Sequence, residues 1–89
     1  MPATLSAPLR LDQLPEQQWA LVTDITVPPH GPDRELVLRL VELGFVPGER
    51  LRIVAEGIAG RDPLAVRVGH TTFALRKHEA SFILVEPLP

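Results

Sequence analysis

The 89-residue sequence contains no cysteine. This excludes disulfide bonds, thiolate metal sites and cysteine nucleophiles within the chain. Small secreted domains often depend on disulfides for stability, so their absence favours a cytoplasmic location. The segment from Met1 to Arg10 also lacks the basic start and apolar run of a secretory signal, which agrees with that expectation.

Long apolar runs and an excess of positive charge are missing as well. Charged residues interrupt every candidate stretch before it reaches the roughly 18 to 20 residues that cross a bilayer, so we expect no membrane insertion. Nine lysines and arginines stand against eleven acidic residues, and the formal net charge is −2. General affinity for nucleic acid is therefore not expected.

Patterns that would support catalysis are scarce. No lysine follows the glycines at the spacing of a phosphate-binding loop, and Ser6 and Ser81 lack the glycine-flanked turn of a nucleophile elbow. His30, His70 and His78 do not fall three or four residues apart on a helix, as paired metal ligands usually do. We predict a non-enzymatic protein with no catalytic residue, no metal ligand and no tightly bound cofactor. Weak metal binding by the histidines stays an alternative.

The residues that are present predict one small domain rich in strands. Met1–Pro8 is expected to be a loose N-terminal segment, and residues 9–89 are expected to form the domain, beginning with a short strand and turn at Leu9 to Leu14. Apolar alternation and β-branched residues predict further strands. These cover residues 19–27, 51–55, 64–68, 72–75 and 82–85. Turns are expected at Pro47-Gly48 and at Gly69-His70.

A single long helix is predicted from Arg34 to Leu43. Asp33 is a suitable N-cap residue, and Gly44 is suited to a left-handed C-terminal cap with a positive φ. Three leucines at helical spacing indicate the buried stripe, Val37 borders it and Leu38 lies on the opposite side. The stripe consists of Leu36, Leu40 and Leu43.

The order of these elements predicts the fold class. We expect a mainly β, small five-stranded barrel with one α-helix after the first long strand and a short helical turn, at Arg76 to Ala80, before the last strand. Closing such a sheet removes exposed edges.

The same pattern suggests where a partner protein binds. Leu38 and Val41 are expected to form a small apolar centre with a charged rim, as a weak docking site requires. The predicted partner-binding residues are Leu38, Val41, Arg34, Arg39, Arg76 and Lys77. A basic cluster is formed by Arg76-Lys77-His78, which Arg50, Arg52 and Arg67 of the strands could join. We expect a solvated face there; an acidic protein surface is the favoured functional partner, and a nucleic-acid-binding barrel is the alternative.

One segment and three later motifs resemble a known family. Residues 40–51 are L-V-E-L-G-F-V-P-G-E-R-L, and Asp62-Pro63-Leu64, Ala74-Leu75-Arg76 and Glu79-Ala80 follow. Their order and spacing are similar to those of the FeoA family, small cytoplasmic proteins of bacterial ferrous iron uptake. The chain departs from the family's pattern at two positions, both in predicted loops. Arg61 interrupts the family's usual glycine-aspartate pair, and Glu16-Gln17 replaces a glycine that is common in the first turn.

The resemblance implies an SH3-like barrel and a functional link to ferrous iron. It also implies a role beside the membrane transporter FeoB, whose cytoplasmic GTP-binding region is the expected contact. A similar domain occurs at the C-terminus of iron- and manganese-dependent repressors, so a metal-binding or metal-sensing module is the alternative function. Whether the domain self-associates weakly, and whether it activates or inhibits its partner, is left open by the sequence.

Overall fold

The computed structural model describes residues 8–89, and most of the predicted loose segment Met1–Pro8 lies outside the described residues. The helices and strands are β1 (Leu9–Arg10), β2 (Ala20–Ile25), α1 (Pro32–Leu43), β3 (Arg50–Glu56), β4 (Leu64–Val68), β5 (Thr71–Leu75), α2 (Lys77–Ala80) and β6 (Ile83–Pro87). A 3₁₀ turn at Leu11–Gln13 follows β1. Within residues 8–89, neither helix is long and apolar enough to cross a membrane.

The strands form one bent antiparallel sheet in the order β1-β6-β2-β3-β4-β5. The predicted mainly β, barrel-like fold is confirmed, including the helix after the first long strand and the helical turn before the last one. The predicted count of five strands is exceeded by one, because the short β1 pairs with β6 through Leu9 and Val85. The sheet is open between its outer strands, β1 and β5.

The alternating apolar side chains of β3 and β4 point into one shared core. Both strands contribute fully buried side chains, namely Leu51, Ile53, Leu64 and Val66. Phe45, which follows α1, is the largest fully buried side chain, and its ring centroid lies 5.6 Å from that of Phe73. Burial of such side chains is the main favourable contribution to folding in a domain of this size.

A bulge in β3 corrects one prediction about this core. Ala55 is exposed, although strict alternation from Leu51 and Ile53 places it on the buried side. The pairing with β4 shifts register between Ile53 and Ala55. Because a bulge inserts an extra residue into one strand, the residues beyond it no longer follow the earlier alternation.

The two predicted turns are present. At Pro47-Gly48 the amide of Glu49 donates a 3.1 Å hydrogen bond to the carbonyl of Val46, and Gly48 has a φ of +97°. This is the arrangement of a turn in which proline presets the first dihedral angle and glycine takes the positive one. Gly69-His70 joins β4 directly to β5.

Helix α1 begins two residues earlier than predicted, at Pro32. Gly31, not Asp33, is the N-cap residue, and proline at the first helical position has a φ already suited to the helix. Asp33 lies inside the first turn, and its carboxylate is 3.0 Å from Nε2 of His78. The predicted cap is therefore wrong, since this carboxylate bonds to another element.

The buried stripe of α1 is also shifted. Val37 is fully buried and Leu40 nearly so, whereas Leu36 is half-buried and Leu43 is 40% exposed. Leu40 joins the main core of the barrel, whereas Leu43, at the last position of the helix, lies outside that core. The prediction that Gly44 caps this end with a positive φ is confirmed by a value of +114°.

Gly57 fills a position where no side chain fits. Its amide donates a 2.8 Å hydrogen bond to the carbonyl of Pro63. A Cβ built on Gly57 would overlap the carbonyl group of Asp62 and lie 2.8 Å from the nitrogen of Pro63. Because the obstacle is backbone, it cannot move aside as a flexible side chain would, and the loop between β3 and β4 depends on glycine here.

We expect Gly57→Ala to lower the free energy of unfolding by about 1 to 3 kcal/mol, since overpacking must displace the backbone of the loop. Gly44→Ala is the matched control, because a Cβ there meets no atom within 4 Å and only the positive φ is unfavourable. Chemical denaturation of both variants measures the difference. A smaller loss for Gly57→Ala than for Gly44→Ala would contradict the close approach.

Candidate partner-binding surface

Leu38 lies on the exposed side of α1, as the sequence predicts, with 38% of its surface accessible. Val41, one turn further along the helix, is half-buried. Arg34 precedes Leu38 by four residues and shares its side of the helix. These three residues share their side of the helix with Glu35 and Glu42, which precede Leu38 by three residues and follow it by four and are both exposed. The flank therefore combines apolar surface with charges of both signs.

Arg39 lies on a different part of the helix surface. Successive residues of a helix are rotated by about 100°, so the side chain of Arg39 is turned away from that of Leu38 toward Leu43. Arg39 and Leu43 are both exposed. The predicted charged rim on α1 therefore has Arg34 on one side of the apolar pair and the acidic Glu35 and Glu42 on the other, with Arg39 on a second, separate flank.

Arg34 is held in place by the loop that precedes α1. Its Nη1 atom donates a 3.2 Å hydrogen bond to the carbonyl of Pro28, and the side chain is half-buried. The same loop carries Val27, which is 40% exposed. Val27 is the last residue of the strand predicted over residues 19–27, but β2 ends at Ile25, so the strand pattern does not mark Val27 as an exposed loop residue.

Arg76 and Lys77 are at the start of α2 and contact the loop between β3 and β4. The backbone amide of Lys77 donates a 3.0 Å hydrogen bond to Asp62, and its Nζ atom donates one of 3.1 Å to the carbonyl of Gly60. Arg76 lies 4.0 Å from the carboxylate of Asp62, and its side chain is 71% exposed. Lys77 therefore has a structural role, while Arg76 keeps most of its side chain in solvent.

A contact between the two helices links these groups of residues. Nε2 of His78 in α2 is 3.0 Å from Oδ1 of Asp33 in α1, and the imidazole packs edge-on against Phe82. The two predicted groups of docking residues, on α1 and at the start of α2, are thus connected by one polar contact between exposed side chains.

Arg61 is a structural residue that the sequence does not reveal. It has a φ of +63°, in the left-handed region that favours glycine. Its guanidinium bonds to Glu56 and donates to the carbonyls of Asp12 and Leu14 at 3.2 and 2.8 Å. The partners on the 3₁₀ turn are 47 and 49 residues away in sequence, so no local pattern could identify them.

The potential metal ligands are dispersed over the described part of the chain. His30, His70 and His78 are all exposed and lie on a loop, a turn and α2 respectively. Residues 8–89 contain no group of three His, Asp or Glu side chains close enough to hold an ion together.

Comparison with known proteins places these features in a family. Residues 9–87 match the FeoA domain model. The structure of Stenotrophomonas maltophilia FeoA, described as an SH3 domain protein complexed with zinc, is 41% identical, with a TM-score of 0.75 over 91% of each chain. A Clostridium acetobutylicum FeoA-like protein is 27% identical, with a TM-score of 0.79 over 96% of this chain and 92% of its own.

Two other comparisons define the limits of this similarity. Iron(II) transport protein A from Clostridium thermocellum is 35% identical, with a TM-score of 0.75, and the match covers 90% of this chain but 46% of that chain. A manganese-dependent transcriptional repressor, 20% identical with a TM-score of 0.74, shares the fold over 44% of its length. No match was found among the curated proteins.

We expect Arg61→Ala to lower the free energy of unfolding by about 1 to 3 kcal/mol, because two carbonyls and a carboxylate lose a charged hydrogen-bond donor. Arg10→Ala is the control. The pKa of Arg10 is raised by its hydrogen bond to Asp12 and by the carboxylate charge, but its side chain is exposed. Its loss should leave the unfolding curve close to that of the unmodified protein, because exposed ion pairs are screened by solvent. Equal unfolding curves for the two variants would contradict the role of Arg61.

Proposed function

This chain belongs to the FeoA family of SH3-like proteins associated with ferrous iron transport, and we propose that it is a non-enzymatic, cytoplasmic adaptor that docks on the FeoB-type membrane transporter. The partner region is the transporter's cytoplasmic GTP-binding part. The family membership supplies the biological context. The docking surface is argued from the residues of α1 and α2.

The exposed side chain of Leu38 is the observation that carries this proposal. A single exposed leucine is common on proteins, but this one adjoins half-buried Val41 and the anchored Arg34 on one flank of a helix. A small apolar centre bordered by charged residues, Arg34 on one side and Glu35 and Glu42 on the other, has the composition of a protein interface. Arg39 and Arg76 are exposed positive charges outside this flank, and Lys77 fixes the start of α2.

The helix can present this flank in a defined orientation. Leu40 attaches α1 to the core of the barrel, and Val37 is fully buried one turn before it. The contacts of Asp33 with His78 and of Arg34 with Pro28 hold the first turn of the helix. A surface that is ordered before binding loses less conformational entropy on association. Even a small contact area can then give useful affinity.

We expect Leu38→Asp to weaken binding to the purified GTP-binding region of the transporter about fivefold or more, because a carboxylate replaces the apolar centre of the interface. Stability should change by no more than about 0.5 kcal/mol, since the side chain makes no core contact. Calorimetry measures binding, and thermal unfolding measures stability.

Ile58→Asp is the matched control for this variant. Ile58 is fully exposed on the loop between β3 and β4, outside the flank of α1 that carries Leu38, and the variant likewise replaces an aliphatic side chain by a carboxylate. It should bind as the unmodified protein does. Unchanged binding by Leu38→Asp, equal loss in both variants, or a collapsed melting temperature for Leu38→Asp would refute the docking surface.

We further propose that docking requires no tightly bound metal or cofactor in this chain. The histidines on separate elements favour weak, exposed contacts with metal ions over chelation. Anaerobic calorimetric titration with ferrous ion, and separately with zinc, should give weak binding without a fixed stoichiometry. Tight one-to-one binding of either ion would instead support the alternative function of a metal-handling module.

A further inference from the structure

The face of β3 and β4 that points away from the core carries three arginines. Arg50 and Arg52 alternate with buried residues on β3, and Arg67 does so on β4. Arg52 and Arg67 are direct cross-strand partners. Like charges in that position destabilise a sheet unless something compensates them.

No carboxylate of the described residues compensates these charges. The ion pairs within residues 8–89 involve Arg10, Arg61, Arg76 and His78. Glu86 shares the outer face, but half-buried Leu21 separates it from Arg50 across the sheet, since Leu21 pairs with both residues. The arginines therefore form a local positive surface on a chain whose net charge is −2.

Arg52 lies over an aromatic ring. Its guanidinium carbon is 4.7 Å from the ring centroid of Trp19, which is 41% exposed. The Nε atom is buried without a hydrogen-bond partner among the described residues. A cation–π contact of this kind restrains the guanidinium and leaves its terminal nitrogens available as donors.

We infer that Trp19, Arg50, Arg52 and Arg67, here called the arginine face, bind an acidic protein segment that carries two neighbouring carboxylates. Directly opposed residues of an antiparallel pair have Cβ atoms about 5 Å apart, so Arg52 and Arg67 can each engage one carboxylate of the same segment. Guanidinium and carboxylate groups match each other in planar, bidentate pairs. Such pairing would remove the repulsion between the two arginines.

Charge and composition favour a protein segment over a nucleic acid. Affinity for nucleic acid grows with the number of neutralised phosphates, and three arginines on a net acidic chain provide few. The single tryptophan ring is already covered by Arg52, so it is poorly placed to stack on a base. A short acidic segment needs only the two opposed guanidiniums.

Trp19 provides a direct measurement of binding, because it is the only tryptophan of the chain. The probe is a short serine-glycine peptide with two adjacent aspartates, titrated into the full-length protein at low salt while tryptophan emission is recorded. The same peptide with asparagines and a single-stranded oligonucleotide are the comparison ligands. We expect saturable binding of the aspartate peptide, weakened by added salt, and little binding of either comparison ligand.

Two variants locate the site. Arg67→Gln should weaken peptide binding about tenfold, as expected for the loss of one charged bidentate contact. Arg10→Gln removes the same charge from β1, outside the arginine face, and should leave binding unchanged. Arg52→Lys keeps the charge but loses the planar fork, and should weaken binding while also shifting the emission of Trp19. Circular dichroism confirms that each variant is folded.

The inference is overturned if the aspartate peptide shows no saturable binding, if the asparagine peptide binds equally well, or if Arg67→Gln and Arg10→Gln have equal effects. Tighter binding of the oligonucleotide, lost in Arg67→Gln, would assign the face to nucleic acid and also overturn it. Because Leu38 is not on this face, these results are independent of the transporter docking test.

Discussion

The alternation of side chains in β3 and β4 is the constraint from which both the core and the outer surface follow. Ile53 and Val66 are paired and buried, so their neighbours Arg52 and Arg67 must be paired on the outside. A shift by one residue would put two arginines into the core, which makes the register of these strands strongly specified. The same alternation that buries Ile53 and Val66 thus places Arg52 and Arg67 side by side on the outer face.

The helices depend on this sheet in different ways. Leu40 of α1 joins the main core, whereas the first turn of α1 is held by polar contacts at Asp33 and Arg34. Helix α2 is connected to the β3–β4 loop through Asp62. That loop is in turn tied to the 3₁₀ turn by Arg61. Hydrogen bonds therefore connect the β3–β4 loop to both α2 and the 3₁₀ turn at the edge of the barrel.

This arrangement gives a physical account of one departure from the family pattern. Arg61 interrupts a glycine-aspartate pair and adopts a left-handed backbone conformation suited to glycine. An unfavourable conformation of this kind costs about 1 to 3 kcal/mol. Its side chain forms charged hydrogen bonds to Glu56 and to two backbone carbonyls, which offset that strain. The β3–β4 loop can therefore keep its conformation with arginine at a position suited to glycine.

Much of the fold was predictable because it depends on local periods. The alternation in residues 64–68, the turn at Pro47-Gly48 and the cap at Gly44 each follow from residues within a few positions of one another. The errors have long-range causes. Asp33 bonds to His78 of α2, which is distant in sequence, and the bulge before Ala55 arises from the pairing of β3 with β4.

The candidate surfaces were less predictable than the strands. The exposure of Leu38 and the separate flank of Arg39 both follow from helical spacing. The half-buried state of Leu36 and the exposure of Leu43 emerge only when the burial of Val37 and Leu40 fixes the rotation of α1. The stacking of Arg52 on Trp19 joins a residue of β3 to the residue that precedes β2. Sequence alone gives the charge of Arg52 but not the ring that orients it.

The two proposed surfaces differ in the forces available to them, which affects how a partner could use both. Contact through Leu38 and Val41 is mainly apolar, and salt screens such contacts little. Contact through Arg52 and Arg67 is electrostatic, and exposed charges are screened beyond about 8 Å at physiological ionic strength. If one partner carried both an apolar groove and an acidic segment, the second contact would form intramolecularly, at an effective concentration near millimolar for a short linker. Raising the salt concentration would then remove the avidity of the pair while leaving the helix contact, so salt dependence alone distinguishes a bivalent partner from two separate ones.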